Sequence, residues 1–165
     1  MIYVDDSGWG SLLGGVMIGV YDSGSKKFQS RLIPIRYFQG KSFKNGKYRN
    51  KALDLFMEML NASGSDTEYF YICRGTVLDY IYEMLIANYD YKKVGRIEIG
   101  DPLQKMLESK FASYLNKLGV PSKSDGAHCL SFDDQLKWVY SDAKRIKNVK
   151  TGWNSWQTKY SKNLK

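Results

Sequence analysis

The sequence predicts an α/β fold built on a mixed five-stranded sheet with flanking helices. Three strand-like segments occupy the first forty residues, and helical and strand-like segments alternate after them. A run of strands followed by alternating elements favours a mixed sheet covered by helices. No Pro-, Gly- or Ser-rich linker divides the 165 residues. We therefore expect one domain over residues 1–150 and a basic, tryptophan-bearing tail over residues 151–165.

The first three strands are predicted by apolar runs that end at turn residues. Residues 2–5 form a short apolar run, and residues 14–22 form a second one that leads into an Asp-Ser-Gly turn. Residues 27–38 form the third segment. Pro34 marks that segment as an edge strand or a bulge, because proline has no N–H for a sheet hydrogen bond.

Helical spacing follows a polar loop. Apolar side chains at positions i, i+3, i+4 and i+7 predict one helix face, made of Leu53, Phe56, Met57 and Leu60. Aromatic and β-branched residues predict a buried strand over residues 67–73. The Thr76-x-x-Asp79 pattern is typical of the start of a second helix.

One more strand and two more helices complete the predicted domain. Residues 93–100 form the strand, and Asp101 and Pro102 are predicted as the cap and first residue of a helix that ends before Gly119. The last helix is expected to begin at Ser131. Its predicted core-facing side chains are Leu136, Val139, Ala143 and Ile146.

Charge and composition narrow the function classes. The chain has 25 Lys and Arg against 17 Asp and Glu, a net charge of +8, which favours a polyanionic partner. Two cysteines, Cys73 and Cys129, exclude four-cysteine zinc sites, and the single histidine, His128, disfavours His-rich zinc sites and a Ser-His-Asp triad. With acids at positions 5 and 6 and no long apolar run, we expect a cytoplasmic protein without a membrane segment.

The most specific stretch is residues 2–20, IYVDDSGWGSLLGGVMIGV. Asp5 and Asp6 end the predicted first strand, and a Gly-x-Gly turn follows them. A carboxylate at the end of a central strand is held rigidly and can bind Mg²⁺, while nearby glycines let a nucleic-acid backbone approach the main chain. Asp-Asp-Ser-Gly is also good turn chemistry, so a turn without metal is the alternative.

This stretch resembles the first motif of type 2 ribonucleases H, roughly V-D-E-x-G-R-G-P-L-x-G-P-V, and the predicted element order is that of the ribonuclease H-like fold. The resemblance implies that Asp5 binds metal and that Asp6 takes the place of the following Glu. It also implies that Gly8, Trp9 and Gly10 contact a ribose backbone.

The chain departs from that family pattern at three positions. Trp9 replaces the Arg of the motif, and Gly15 replaces a Pro. At the end of the fourth strand, where the fold usually carries an acid, the sequence offers Cys73 or Arg74. Trp9 and the missing acid at Cys73-Arg74 favour a protein that keeps the fold and has lost the site.

Residues 131–139, SFDDQLKWV, are similar to the acidic pair near the start of the final helix in resolvases and terminase nucleases of this fold. The resemblance implies that Asp134 is the remaining metal ligand, with Asp133 beside it. Acids in the first turn of a helix also complement its dipole, and Ser131 with Asp134 is equally typical of a helix cap.

Two basic stretches are candidates for phosphate contacts. Residues 41–51 carry five basic side chains and no acid, and the tail interleaves Lys and Arg with Trp153 and Trp156. The expected nucleic-acid-binding side chains are Lys44, Lys47, Arg49, Lys144 and Arg145. The alternatives are a solvated loop and a tail whose tryptophans cover the core.

The sequence as a whole predicts a metal-dependent endonuclease acting on DNA or RNA. Mg²⁺ or Mn²⁺ is expected on Asp5 and Asp134, with Asp6 and Asp133 completing the catalytic acids. The alternative is a non-catalytic nucleic-acid-binding protein on the same fold.

Overall fold

The computed structural model describes residues 1–67, 69–121 and 130–163. Within these ranges five strands form one mixed sheet with helices packed on it, which confirms the predicted α/β class. The strands are β1 (Ile2–Ser7), β2 (Val16–Asp22), β3 (Lys27–Ile33), β4 (Phe70–Cys73) and β5 (Val94–Ile97). The α-helices are α1 (Gly40–Lys44), α2 (Lys47–Ser63), α3 (Asp79–Asn88), α4 (Leu103–Lys117) and α5 (Phe132–Tyr140).

The sheet has the order β3-β2-β1-β4-β5, so β1 lies at its centre. β2 is antiparallel to both β1 and β3, while β1, β4 and β5 are mutually parallel. The carboxyl ends of β1 and β4 therefore lie side by side, and the turn into β2 leaves from the same edge.

The two faces of the sheet carry separate cores. Ile2 and Val4 of β1 belong to the core under α2 and α3, whereas Tyr3 packs against the core under α4 and α5. Successive side chains of a strand point to opposite faces. Asp5 consequently shares the α4 face with Tyr3, and Asp6 shares the α2 face with Val4.

The predicted cap of α3 is wrong. Thr76–Leu78 forms a short 3₁₀ turn, and α3 begins at Asp79 with no side-chain cap. The Asp79 carboxylate instead pairs with Arg96 on β5. A neighbouring strand thus supplies a guanidinium partner that local sequence spacing does not show.

The ends of α4 and α5 also differ from the prediction. α4 begins at Leu103 with Pro102 in the cap position, and Asp101 forms an ion pair with Lys105. α5 ends at Tyr140, and Ala143–Asn148 forms a separate 3₁₀ helix because Asp142 caps it through the Lys144 N–H. Leu136 and Val139 are buried as predicted, whereas Ala143 is exposed.

The described part of the tail packs on the domain. Trp156 is buried in the core under α4 and α5, and the Gly152 N–H donates to the Phe38 carbonyl at 3.0 Å. His128 and Cys129 lie outside the described residues. No helix in the described ranges is long and apolar enough to cross a membrane.

Candidate functional site

Asp5 is a buried carboxylate on the central strand, two residues before the strand ends at Ser7, with a relative exposure of 6%. It accepts a hydrogen bond from the Asp6 N–H at 2.8 Å and another from the Cys73 thiol at the end of β4. Burial raises the pKa of Asp5 above its usual value, these two hydrogen bonds oppose the rise, and the charge of Glu108 adds to it. The buried negative charge of Asp5 is therefore unfavourable by itself, and binding of a proton or a cation would stabilise it.

Glu108 reaches this site because α4 packs closely on β2. Gly19 lies opposite Asp5 in the β1–β2 ladder, and a Cβ at Gly19 would lie 2.7 Å from Leu107 Cδ2. The missing side chain lets α4 approach the sheet at this level and brings Glu108 into electrostatic range of Asp5. No sequence pattern relates Glu108 to the first motif, because only the packing of a helix distant in sequence brings the two together.

A cleft of about 410 Å³ opens beside this end of β1, and Glu108 is part of its wall. Gly10 lines it, and nothing lies within 4 Å of where a Gly10 Cβ would be. Gly8 differs: its φ is +96°, and a Cβ there would lie 2.4 Å from the Phe111 ring. We call this space the turn cleft, and its lining comprises Ser7, Gly8, Gly10, Ser11, Glu108, Phe111, Leu130, Phe132 and Gln135.

Lys150 holds the turn that borders the cleft. Its side chain is fully buried, and its ammonium donates to the carbonyls of Gly8, Trp9 and Ser11, the last at 2.8 Å. The ammonium also lies 5.2 Å from the centre of the Trp153 ring. The sequence does not single out Lys150, because nothing near it in the sequence distinguishes it from the exposed Lys144 and Lys147.

Asp6 is separated from Asp5 by the sheet. It lies beside Gly75, where an added Cβ would be 2.5 Å from the Asp6 Oδ1. Burial and the charge of Asp5 raise the pKa of Asp6 to about 7, while Lys150 opposes the rise. Burial likewise lowers the pKa of Lys150 to about 7, and Asp6 opposes that change. Asp6 therefore has an internal cation within electrostatic range.

Asp133 and Asp134 lie in the first turn of α5. The Ser131 hydroxyl accepts from the Asp134 N–H at 3.2 Å and donates to the Asp134 carboxylate at 2.6 Å, which is a helix cap. Lys137 donates to the other Asp134 oxygen at 3.2 Å. Asp133 is exposed. The contacts of this pair are those of the capping alternative.

Gln135, the next residue of α5, is the one that contacts the β1–β2 turn. Its side-chain carbonyl accepts from the Ser11 hydroxyl at 3.0 Å and from the Leu12 N–H at 2.8 Å. Its amide donates to the Leu130 carbonyl at 2.9 Å. α5 is thus fixed to the turn cleft through an amide side chain.

A second cavity, of about 510 Å³, lies at the turn between α1 and α2. Lys44, Lys47 and Arg49 are exposed there, and none of the three takes part in an ion pair within the described residues. Residues 23–53 contain nine basic side chains and no acidic one. We call this space the basic cavity, lined by Phe43, Lys44, Asn45, Gly46, Tyr48, Arg49, Gly152 and Asn154.

Trp9 joins the turn after β1 to the basic cavity. It is half-buried, and its ring lies 5.5 Å from that of Tyr48 and 6.3 Å from that of Phe43, both of which line the cavity. The residue that replaces the motif's Arg is therefore part of an aromatic cluster beneath a basic surface.

Lys144 and Arg145 lie in the 3₁₀ helix after α5. Lys144 is exposed. The Arg145 guanidinium lies 4.3 Å from the centre of the Trp138 ring and donates to the Trp138 carbonyl at 2.8 Å. The Arg145 guanidinium is thus held against α5, and of these two residues Lys144 is the one whose side chain is exposed.

The donor atoms at Asp5 suit a single hard cation. Proteins usually bind Mg²⁺ through one or two carboxylates, with water and substrate phosphate as the other ligands. The Glu108 carboxylate lies within electrostatic range of Asp5, and burial raises the pKa of the Cys73 thiol to about 11 and keeps it protonated. No group of three or more His, Cys, Asp or Glu side chains that could hold a metal occurs in the described ranges.

We compared the chain with protein-family models, with curated proteins and with solved structures, and nothing matches it.

Proposed function

We propose that this chain is a nucleic-acid phosphodiesterase of the ribonuclease H-like fold, whose cleavage depends on a divalent cation bound at Asp5. The sheet order β3-β2-β1-β4-β5 and the antiparallel β2 support the fold assignment. One observation supports the activity above the others: Asp5 is a buried carboxylate near the end of the central strand, and Glu108, which lies in electrostatic range of it, lines an open cleft together with Ser7 at the strand's last position.

Asp5 and Glu108 are the residues that would hold the cation. Such an ion supplies Lewis-acid stabilisation of a phosphate and activates water for attack. The described part of the chain provides few ligands, so the scissile phosphate would complete the binding site, and the metal would bind more tightly when nucleic acid is present. The Cys73 thiol orients the Asp5 carboxylate by donating to it.

The remaining residues of the site position the substrate. Gly10 and Ser11 expose main chain in the turn cleft, where a sugar-phosphate backbone can approach without a side chain in between. Lys150 and Gln135 fix the shape of that turn from below. Lys44, Lys47 and Arg49 attract the backbone further along at the basic cavity, through charges that no ion pair within the described residues neutralises.

Cleavage of end-labelled single-stranded DNA, duplex DNA, RNA and an RNA–DNA hybrid tests this proposal. At least one substrate should be cut with Mg²⁺ or Mn²⁺ and none with EDTA. Asp5→Asn and Glu108→Gln should each lower the rate, Asp5→Asn by at least about 100-fold, or about 2.7 kcal/mol. Glu98→Gln is the matched control, because Glu98 is exposed and lines a different cavity. Equal rates for the wild type and Asp5→Asn would refute the assignment.

A second candidate function is nucleic-acid binding without cleavage, and Cys73 is the observation that favours it. This thiol stands at the end of β4, beside Asp5, where a further carboxylate would complete a metal cluster. If this candidate is correct, the wild type binds nucleic acid and cuts none of the four substrates. Cys73→Asp then tests why the wild type does not cleave. If the site lacks only one ligand, this change should produce cleavage; if the surface serves only for binding, it should not.

A further inference from the structure

An apolar groove lies between α2 and α3, on the side of the sheet away from α4. It has a volume of about 510 Å³ and lies against the α2 side chains that the sequence predicts as one apolar face. Its lining comprises Leu53, Phe56, Met57, Leu60, Met84, Leu85, Asn88 and Tyr89. The groove is separate from the turn cleft and from the basic cavity, with which it shares no lining residue.

The groove leaves apolar side chains in solvent. Met57 is 43% exposed, and Met84 and Tyr89 are each 36% exposed. Leu53 and Leu60 are partly buried beside them. Three large exposed apolar residues along one groove differ from isolated surface hydrophobes, and methionine is common at surfaces that receive a partner helix because its side chain adapts in shape.

Three acidic side chains flank the groove on α2 and α3. Asp54 and Glu58 follow one another by one turn on the exposed side of α2, and Glu83 precedes Met84 on α3. All three are exposed and take part in no ion pair within the described ranges. Arg49 is in electrostatic range of Glu83. Acidic flanks around an apolar floor contrast with a chain of net charge +8.

We propose that the α2–α3 groove binds a basic amphipathic helix of a partner protein. Apolar side chains of that helix, at spacings of three and four residues, would enter between Met57 and Met84, and its Lys or Arg side chains would face Asp54, Glu58 and Glu83. A second copy docked symmetrically is disfavoured, since it would bring the same three acids against themselves. Nucleic acid is disfavoured by the same charges.

Binding of two synthetic helical peptides to the full chain tests the proposal. One peptide carries Leu on one face and Lys on the other, and its counterpart carries Glu in place of each Lys. Fluorescence anisotropy should show the Lys peptide binding at least about tenfold more tightly than the Glu peptide. The Asp54→Lys/Glu58→Lys variant should reduce that preference.

Variants within the groove distinguish binding in the groove from attraction of the peptide by the overall surface charge. Met84→Lys should weaken binding of the Lys peptide by about tenfold or more, because it places a charge on the apolar floor. Ile86→Lys is the matched control, since Ile86 lies on the same helix, is 41% exposed and does not line the groove. Equal losses for the two variants, no binding of the Lys peptide, or no preference over the Glu peptide would overturn the proposal. So would dimerisation of the wild type, measured by sedimentation, that Met84→Lys abolishes.

Discussion

The ammonium of Lys150 donates to the Ser11 carbonyl at 2.8 Å, joining positions 139 residues apart in the sequence. The same ammonium donates to the carbonyls of Gly8 and Trp9. The chain thus returns, at the end of the domain, to the turn that follows the central strand, and the Lys150 side chain fills the space beneath the carbonyls of that turn. The turn cleft, which Gly8 and Ser11 line, depends on this contact for its shape.

Replacing Lys150 with Met is therefore expected to destabilise the fold by about 3–5 kcal/mol, because the carbonyls of Gly8, Trp9 and Ser11 all lose the same buried donor. Lys147→Met removes the same charge from an exposed site three residues away and should change the free energy of unfolding by less than about 0.5 kcal/mol. Urea denaturation of both variants measures the difference. Similar stabilities would mean that Lys150 does not hold the turn.

A second prediction concerns the contact between α5 and the turn that joins β1 to β2. Gln135→Leu keeps the volume but leaves the Ser11 hydroxyl and the Leu12 N–H without their acceptor. We expect a loss of about 1–3 kcal/mol. Gln157→Leu is the control, because its side chain makes an exposed hydrogen bond to Thr151. If the two changes cost the same in urea denaturation, α5 is not fixed through Gln135.

Asp5 makes the stability depend on pH. Because its pKa is raised on folding, the folded chain keeps this proton to a higher pH than the unfolded chain. Stability therefore falls as the pH rises from the usual value of 3.8 through the folded value. Asp5→Asn removes this loss, so without divalent cations its Tm should exceed that of the wild type by about 2–4 °C or more at about pH 8, and by less at about pH 4.

Asp66→Asn is the control for this pH dependence, since Asp66 is exposed. Its Tm should follow that of the wild type across the whole pH range. An Asp5→Asn variant that melts below the wild type at about pH 8 would show that the Asp5 carboxylate stabilises the fold, for example through its hydrogen bond from the Asp6 N–H.

Nucleic-acid binding should depend on salt through the basic cavity. Replacing Lys44, Lys47 and Arg49 with Gln should reduce the slope of log K against log salt concentration by about 2–3, because each lost phosphate contact contributes about 0.7–0.9. The control removes equal charge from exposed lysines elsewhere, at Lys92, Lys110 and Lys117. Equal changes of slope would assign the binding to net charge alone.

Point substitutions test the contribution of the tail to nucleic-acid binding better than deletion of the tail does. Removing residues 151–165 would take away Trp156, which is 4% exposed in the core under α4 and α5. Lys159→Gln in the full chain removes a tail charge and leaves that packing in place. A flatter salt dependence in this variant would assign phosphate contacts to the tail.

Much of the fold was predictable because it depends on local patterns. Apolar runs and turn residues give the strands, and the periodic positions Leu136 and Val139 are buried as expected. The predictions that were wrong concern helix ends whose side chains interact with other segments of the chain. Asp79 pairs with Arg96 on another element, and the Asp142 cap separates the last helix from the segment that contains Ile146.

The candidate site was only partly predictable for the same reason. Asp5 follows from its place at the end of an apolar strand. Glu108 and Lys150 belong to the site through helix packing and through the return of the chain, which leave no spacing signal near the first motif. The contact of Gln135 with the β1–β2 turn could not be predicted, because the acidic pair Asp133 and Asp134 was the only recognisable pattern at the start of α5.

Binding of Mn²⁺, followed by electron paramagnetic resonance in the presence of a phosphorothioate oligonucleotide that resists cleavage, tests the central claim most directly. The wild type should bind about one Mn²⁺ per chain beyond what the oligonucleotide binds alone. Asp5→Asn should lose this binding, while Asp66→Asn should keep it. Identical Mn²⁺ binding by the wild type and Asp5→Asn, or none by either, would contradict a metal site at Asp5.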